Sequence, residues 1–142
     1  MDGADHQILA LLVEDGRRPY DDIARRVSLS APAVKRRIDK LRAGGALRGF
    51  TAVVDHAALG DHTEALIELF FAPGTQLAAV AETLRKHPEV VEAWSVTGEA
   101  DAIARVRTRD NADLERLIRE LQRDGHVVRT RSQVVLSQLV RR

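Results

Sequence analysis

Lys35, Arg36, Arg37, Lys40 and Arg42 crowd into eight residues of the stretch Ser28 to Arg48, SLSAPAVKRRIDKLRAGGALR. Cations at that density bind anions, and the helical period decides which of them act together. At about 3.6 residues per turn, Val34, Ile38 and Leu41 fall on one buried stripe, while Pro32, Lys35, Arg36, Asp39, Lys40 and Ala43 project the other way. A helix face of that kind suits the major groove of duplex DNA, where lysines meet phosphates and an arginine fork matches the N7 and O6 acceptors of guanine. The DNA-contacting set expected from the pattern is Ser30, Pro32, Ala33, Lys35, Arg36, Arg37 and Lys40, with Arg36 the candidate for a base edge.

The elements that position this face are legible around it. Ser30 can accept a bond from a free amide of the first turn and Pro32 is tolerated that early, so the helix is expected from Ser30 to Ala43, ended by Gly44 and Gly45. Upstream, Ile8, Leu11 and Leu12 have helical spacing between Asp5 and Asp15. A second short helix, about Tyr20 to Val27, turns Ile23, Ala24 and Val27 inward, with Ser28 and Leu29 as the turn. Together these make a helix-turn-helix. Leu47 to Val54 (LRGFTAVV) reads as extended, a wing or linker strand leaving the domain.

Charge is distributed to match. Residues 17–48 hold ten Lys and Arg against Asp21, Asp22 and Asp39, a net +7, in a chain whose total is +1, so the other 110 residues carry −6. That asymmetry is the footprint of a nucleic-acid-binding module joined to a domain with different work. At 142 residues with 44% apolar composition, the chain has room for two small packed domains. The absence of cysteine excludes disulfides, thiolate nucleophiles and cysteine-ligated metals. No apolar run reaches the roughly 18 residues of a membrane span, and MDGADHQ lacks a signal peptide's order, so a cytoplasmic protein with no membrane partner is expected. The five histidines never stand at metal-ligand spacing, and no glycine loop is built to cradle phosphate. Paired acids such as Asp21 and Asp22, or Asp113 and Glu115, fall at helix starts, where they favour the dipole. No catalytic residue, metal or cofactor is expected, and Trp94 reads as a packing residue.

From Thr63 the periodicity changes. In TEALIELFF, Ala65, Ile67, Leu69 and Phe71 alternate with Glu64, Leu66, Glu68 and Phe70, so both faces of a strand carry large apolar groups and the second is expected to meet another subunit. A helix follows with Leu77, Val80, Ala81 and Leu84 inward, ended by His87 and Pro88. Strands Val90 to Thr97 and Ala102 to Arg107 are joined by Gly98, Glu99, Ala100 and Asp101, where Gly98 can take a positive φ. A second helix, capped by Asp110, buries Leu114, Leu117, Ile118 and Leu121, and a last strand is expected from about Val127 to Leu139. The order β-α-β-β-α-β predicts a ferredoxin-like sandwich with one sheet face free for dimerisation. The expected fold is therefore α+β, a winged helix-turn-helix followed by this sandwich. Its expected boundaries are 1–46 for DNA binding, 47–60 for linker strand and hinge, and 61–142 for effector binding and oligomerisation.

This layout resembles the Lrp/AsnC, or feast/famine, family of transcription regulators over nearly the whole chain. The resemblance rests on Asp5-His6-Gln7-Ile8-Leu9 with Leu12, Asp15-Gly16-Arg17, Ala24, Ser30 and the run Leu47 to Val54 with Asp55 and Gly60. In the second half it rests on Val96-Thr97-Gly98-Glu99-Ala100-Asp101 and the strand Thr130 to Leu136. It implies DNA binding, a small-molecule effector that is most often an amino acid, and homodimers that assemble further. Carried over by position, the effector site comprises Gly98, Glu99, Ala100 and Asp101 with Thr130, Ser132 and Val134. Thr130 and Ser132, two apart on a strand, share a face. The family often has an aromatic between the two acids, where this chain has Ala100. Two other readings stay open: an architectural DNA-binding protein that needs no ligand, and an enzyme similar in fold to sirohaem decarboxylases, against which the Lys35 to Arg42 run argues.

Overall fold

A computed structural model describes residues 1–140 and divides the chain into two compact units, Met1–Val54 and the part from Asp55 onward. The first holds helices α1 (Gly3–Glu14), α2 (Tyr20–Val27) and α3 (Ala31–Ala43). Its core is Ile8, Leu12, Ile23, Ala24, Val34, Ile38 and Leu41, the stripes that the helical period marks out. α1 begins earlier than its apolar spacing indicates. Asp2 accepts from the Asp5 amide while Asp5 accepts from the Asp2 amide, a reciprocal cap that satisfies two free donors. Between α2 and α3 the chain reverses at Ser28, whose φ of 54° is left-handed and whose amide donates to the Ala24 carbonyl. Ser30 caps α3 by accepting from the Ala33 amide at 3.3 Å.

Leu47 to Val54 departs from expectation: residues 48–55 form no ladder among the described residues. A strand must place its amides and carbonyls on a neighbouring strand, and this unit contains only helices. The segment instead leans on the turn that follows α1, where a Cβ added to Gly16 would lie 3.1 Å from the Phe50 ring.

In the second unit a 3₁₀ turn at Ala57–Leu59 ends at Gly60, with φ 91°. Then come β1 (Thr63–Phe71), α4 (Leu77–Arg85), β2 (Val90–Ser95), β3 (Ala102–Thr108), α5 (Asn111–Leu121) and β4 (Val127–Val134). The sheet order is β2-β3-β1-β4 with every neighbour antiparallel, so each helix crosses over one intervening strand. Ala65, Ile67 and Leu69 of β1 meet Ala102, Ala104 and Val106 of β3 under Val80 and Leu84 of α4 and Leu114, Leu117 and Leu121 of α5. Both helices thus lie on one sheet face. α5 starts at its expected cap, with Asp110 accepting from the Asp113 amide at 2.8 Å.

Four local expectations are corrected. Phe70 is 8% exposed, because the Arg129 guanidinium covers its ring at 3.8 Å from the centroid. Leu77, the first residue of α4, is 58% exposed, and the third inward position is taken by Thr83, which donates to the Ala79 carbonyl and to Asp124. Trp94 is not part of the buried core of its unit. It pairs with Ile103 on the face without helices and is 48% exposed. The final strand ends at Val134, five residues short of Leu139, opposite Ala65 and close to the start of its partner β1 at Thr63, which leaves residues beyond it little to pair with.

Candidate DNA-reading face and effector recess

α3 can present a fixed polar face because Val34, Ile38 and Leu41 lock the opposite side, at 0%, 2% and 5% exposure. Pro32, Lys35, Arg36, Asp39 and Lys40 are all exposed on the outer side. Arg36 and Lys40 have no ion-pair partner among the described residues, so neither must give up an internal contact to meet an anion. Lys35 donates to the Asp39 carboxylate at 2.8 Å, one helical turn on, and that hydrogen bond raises its pKa above the ordinary lysine value.

Arg37 behaves differently from its neighbours. Its guanidinium donates to both Asp2 and Asp5, at 2.8 Å each, so the cation tightens the reciprocal cap of α1 and ties that helix to α3. The two carboxyls are held below the usual range, chiefly by each other's backbone amides and then by Arg37, while Arg37 is pushed up by Asp5 and Asp2. Sequence spacing alone grouped Arg37 with the DNA contacts. The one signal for its separate position was Asp2-x-x-Asp5, a spacing of three that caps a helix with acids at its start. Arg37, Arg36, Lys40, Ala33 and Leu29 also line an open recess of about 590 Å³ with Met1, Asp2 and Asp5.

In the second unit Gly98 has the positive φ its place in the connection calls for, 112°. Asp101 fastens this turn to the end of β1: its carboxylate accepts from the Phe71 amide at 2.8 Å and its own amide donates to the Leu69 carbonyl at 3.0 Å. Those bonds fall where the β1–β4 register shifts, between Phe70 and Phe71. Ala100 is buried at 5% exposure, whereas Glu99 projects into water. Glu99 and Ala100 line a recess of about 610 Å³ with Glu68, Val96, Thr97, Ile103 and Arg131. Arg131 grips Glu68 through two nitrogens and stands 3.7 Å from Glu99, and the pairing lowers the Glu68 pKa and raises that of Arg131.

The structure brings the glycine–acid turn together with Arg131 and Glu68 but not with the three β4 residues expected beside it. Directly opposed residues of an antiparallel pair share a face, and Thr130, Ser132 and Val134 oppose Leu69, Ile67 and Ala65, which point to the helices. Thr130 accordingly accepts from Gln122, the C-cap of α5, at 3.4 Å. Glu68 and Arg131 oppose each other on the other face. A shift of one residue along a strand changes its face, and no composition signal fixed the register.

A three-helix DNA-reading unit followed by a βαββαβ sandwich with a small recess at a glycine turn defines a class of ligand-binding transcription regulators. The AsnC-type helix-turn-helix domain matches residues 1–42 and the Lrp/AsnC ligand binding domain matches residues 64–142. The HTH-type transcriptional regulator Rv2324 of Mycobacterium tuberculosis is 43% identical over 100% of this chain and 96% of its own length. A feast or famine regulatory protein of M. tuberculosis, solved with L-methionine, superposes with a TM-score of 0.92 at 28% identity, covering 99% of this chain and 95% of that one. Transcriptional regulator NMB0573 of Neisseria meningitidis, also solved with L-methionine, gives 0.90 at 25% identity over 99% and 93%. This chain belongs to the Lrp/AsnC family of transcription regulators.

Proposed function

We propose that the chain reads duplex DNA with the outward face of α3, through Lys35, Arg36 and Lys40 with the first turn at Ser30, Pro32 and Ala33. In the same reading, an amino acid bound at the Gly98 to Asp101 turn changes that affinity. The observation that carries the first half is the exposed, unpaired Arg36 and Lys40 opposite a fully buried stripe, in an AsnC-type helix-turn-helix. Supporting the second half are the recess beside Glu99 and Ala100 and the two structural relatives solved with L-methionine. Arg131 and the turn amides suit a carboxylate, and Glu68 or Glu99 suits an ammonium.

Homodimers that assemble further belong to the same reading. Trp94 on the helix-free sheet face and Leu136, Leu139 and Val140 beyond β4 are 48%, 95%, 92% and 69% exposed, apolar side chains that a second copy would cover. Two reading heads related by a twofold axis address inverted half-sites about one helical turn, or a multiple, apart.

The test is a titration of each amino acid into the complex of the full chain with a selected operator, followed by fluorescence anisotropy and light scattering. One amino acid is expected to shift operator affinity several-fold to about a hundredfold, the range of a coupling of roughly 1–3 kcal/mol. Asp101→Ala is expected to abolish that response while leaving basal DNA binding intact. If no amino acid alters affinity, assembly or melting temperature, the sensor half fails and a ligand-independent DNA-binding role replaces it.

A further inference from the structure

Asp39 stands near the centre of the face that α3 turns outward, three residues after Arg36 and one before Lys40, and it is exposed. An acid there is costly for a surface meant to meet phosphates, since it offsets one of the cations Lys35, Arg36 and Lys40. Its ion pair with Lys35 does not explain its presence through folding, because the two side chains are 63% and 54% exposed and pairs of that kind stabilise little.

The hydrogen-bonding inventory narrows what Asp39 can do at a duplex. An ionised carboxylate only accepts, and so does a phosphate, so the two repel and cannot bond. On the floor of the major groove the available donors are the exocyclic amino groups, N4 of cytosine and N6 of adenine, while guanine and thymine present acceptors at the corresponding edge. Every base pair has one such amino group, so a carboxylate reads which strand carries it. Lys35, released from Asp39 as DNA arrives, is then free for a phosphate.

Resting on the assignment of α3 as the reading helix, we infer that Asp39 is a specificity-determining residue. Its carboxylate accepts from the amino group of cytosine or adenine at one position of each half-site, and its charge penalises DNA that presents guanine or thymine there. The residue lowers overall affinity and raises discrimination.

The experiment is selection from a random duplex library with the wild-type full chain, Asp39→Asn, Lys35→Ala and the Lys35→Ala, Asp39→Asn double variant. Affinities for the retrieved site, its single-base changes and bulk genomic DNA are then measured at fixed salt. In the wild type one column of each half-site is expected to hold adenine or cytosine, with guanine or thymine costing roughly 5- to 150-fold, the size of a single mismatched base pair. In Asp39→Asn, whose amide donates as well as accepts, the penalty on guanine and thymine in that column is lost, and affinity for bulk DNA rises several-fold. An unchanged column with an unchanged ratio to bulk DNA overturns the inference and leaves α3 as the reader. Discrimination that depends on Asp39 only while Lys35 is present also overturns it, since Asp39 then acts through Lys35 and not on a base. A wild-type chain that retrieves no consensus sinks the reading-helix assignment and this inference with it.

Discussion

Arg37 differs from Arg36 by one position on α3 and by nearly everything in its surroundings. Arg36 faces water, whereas Arg37 is held between Asp2 and Asp5. Counterion release separates the two roles, because each phosphate contact contributes about −0.9 to the slope of log affinity against log salt. Arg37→Ala is expected to lower the melting temperature and leave that slope unchanged; a slope reduced by about one would show that Arg37 meets phosphate. Acid reaches the same unit through Asp22. Donation from Arg18 and then Arg26 takes its pKa from 3.8 to about 2, with Arg25 adding a third bond. A carboxyl depressed on folding adds stability that is complete above the unfolded value and is lost as pH falls through the folded one. Wild-type melting temperature is therefore expected to fall between about pH 4 and pH 2, and Asp22→Asn to flatten that limb. An equally steep acid limb in the variant would show that the cluster around Asp22 does not set it.

At the scale of elements, helices α3 and α5 follow from their residues, because caps and apolar period agree, whereas α2, which starts after Pro19 with no side-chain cap, follows from its apolar period alone. Ser30 and Asp110 each accept from the amide three residues on, and Val34, Ile38, Leu114 and Leu117 turn inward as the period requires. Leu117 is fully buried between α5 and the sheet, so Leu117→Ala is expected to destabilise the second unit by about 2–5 kcal/mol in denaturant unfolding, from lost transfer energy and the cavity left behind. A loss under 1 kcal/mol would mean that the sandwich is not packed around that position. Strands were less legible. Alternation along TEALIELFF identified β1 and its inward face, but Phe70 required knowledge of Arg129, a partner 59 residues away across the sheet. The turn at Gly98 was legible as a turn from its glycine, which takes a positive φ. Its neighbours on β4 were not, because the choice between Thr130 and Arg131 depends on a register that pairs Glu68 with Arg131. Leu47 to Val54 has strand-like residues, and composition could not supply the partner strand that a ladder needs.

At the scale of the whole molecule, the chain joins a basic unit to an acidic remainder, and family membership assigns DNA reading to the first and ligand binding to the second. The physical case for DNA reading reduces to three side chains on a surface whose removal disturbs no core, since Lys35, Arg36 and Lys40 are all exposed. The most direct measurement is operator affinity of the Lys35→Ala, Arg36→Ala, Lys40→Ala triple variant, by fluorescence anisotropy across a salt series, beside its melting temperature. The expected result is a near-native melting temperature, a salt slope reduced by as much as about 0.9 for each phosphate contact removed, and an operator affinity that falls to the level of bulk DNA. Wild-type operator affinity in a folded triple variant would contradict the assignment of α3 as the reading helix.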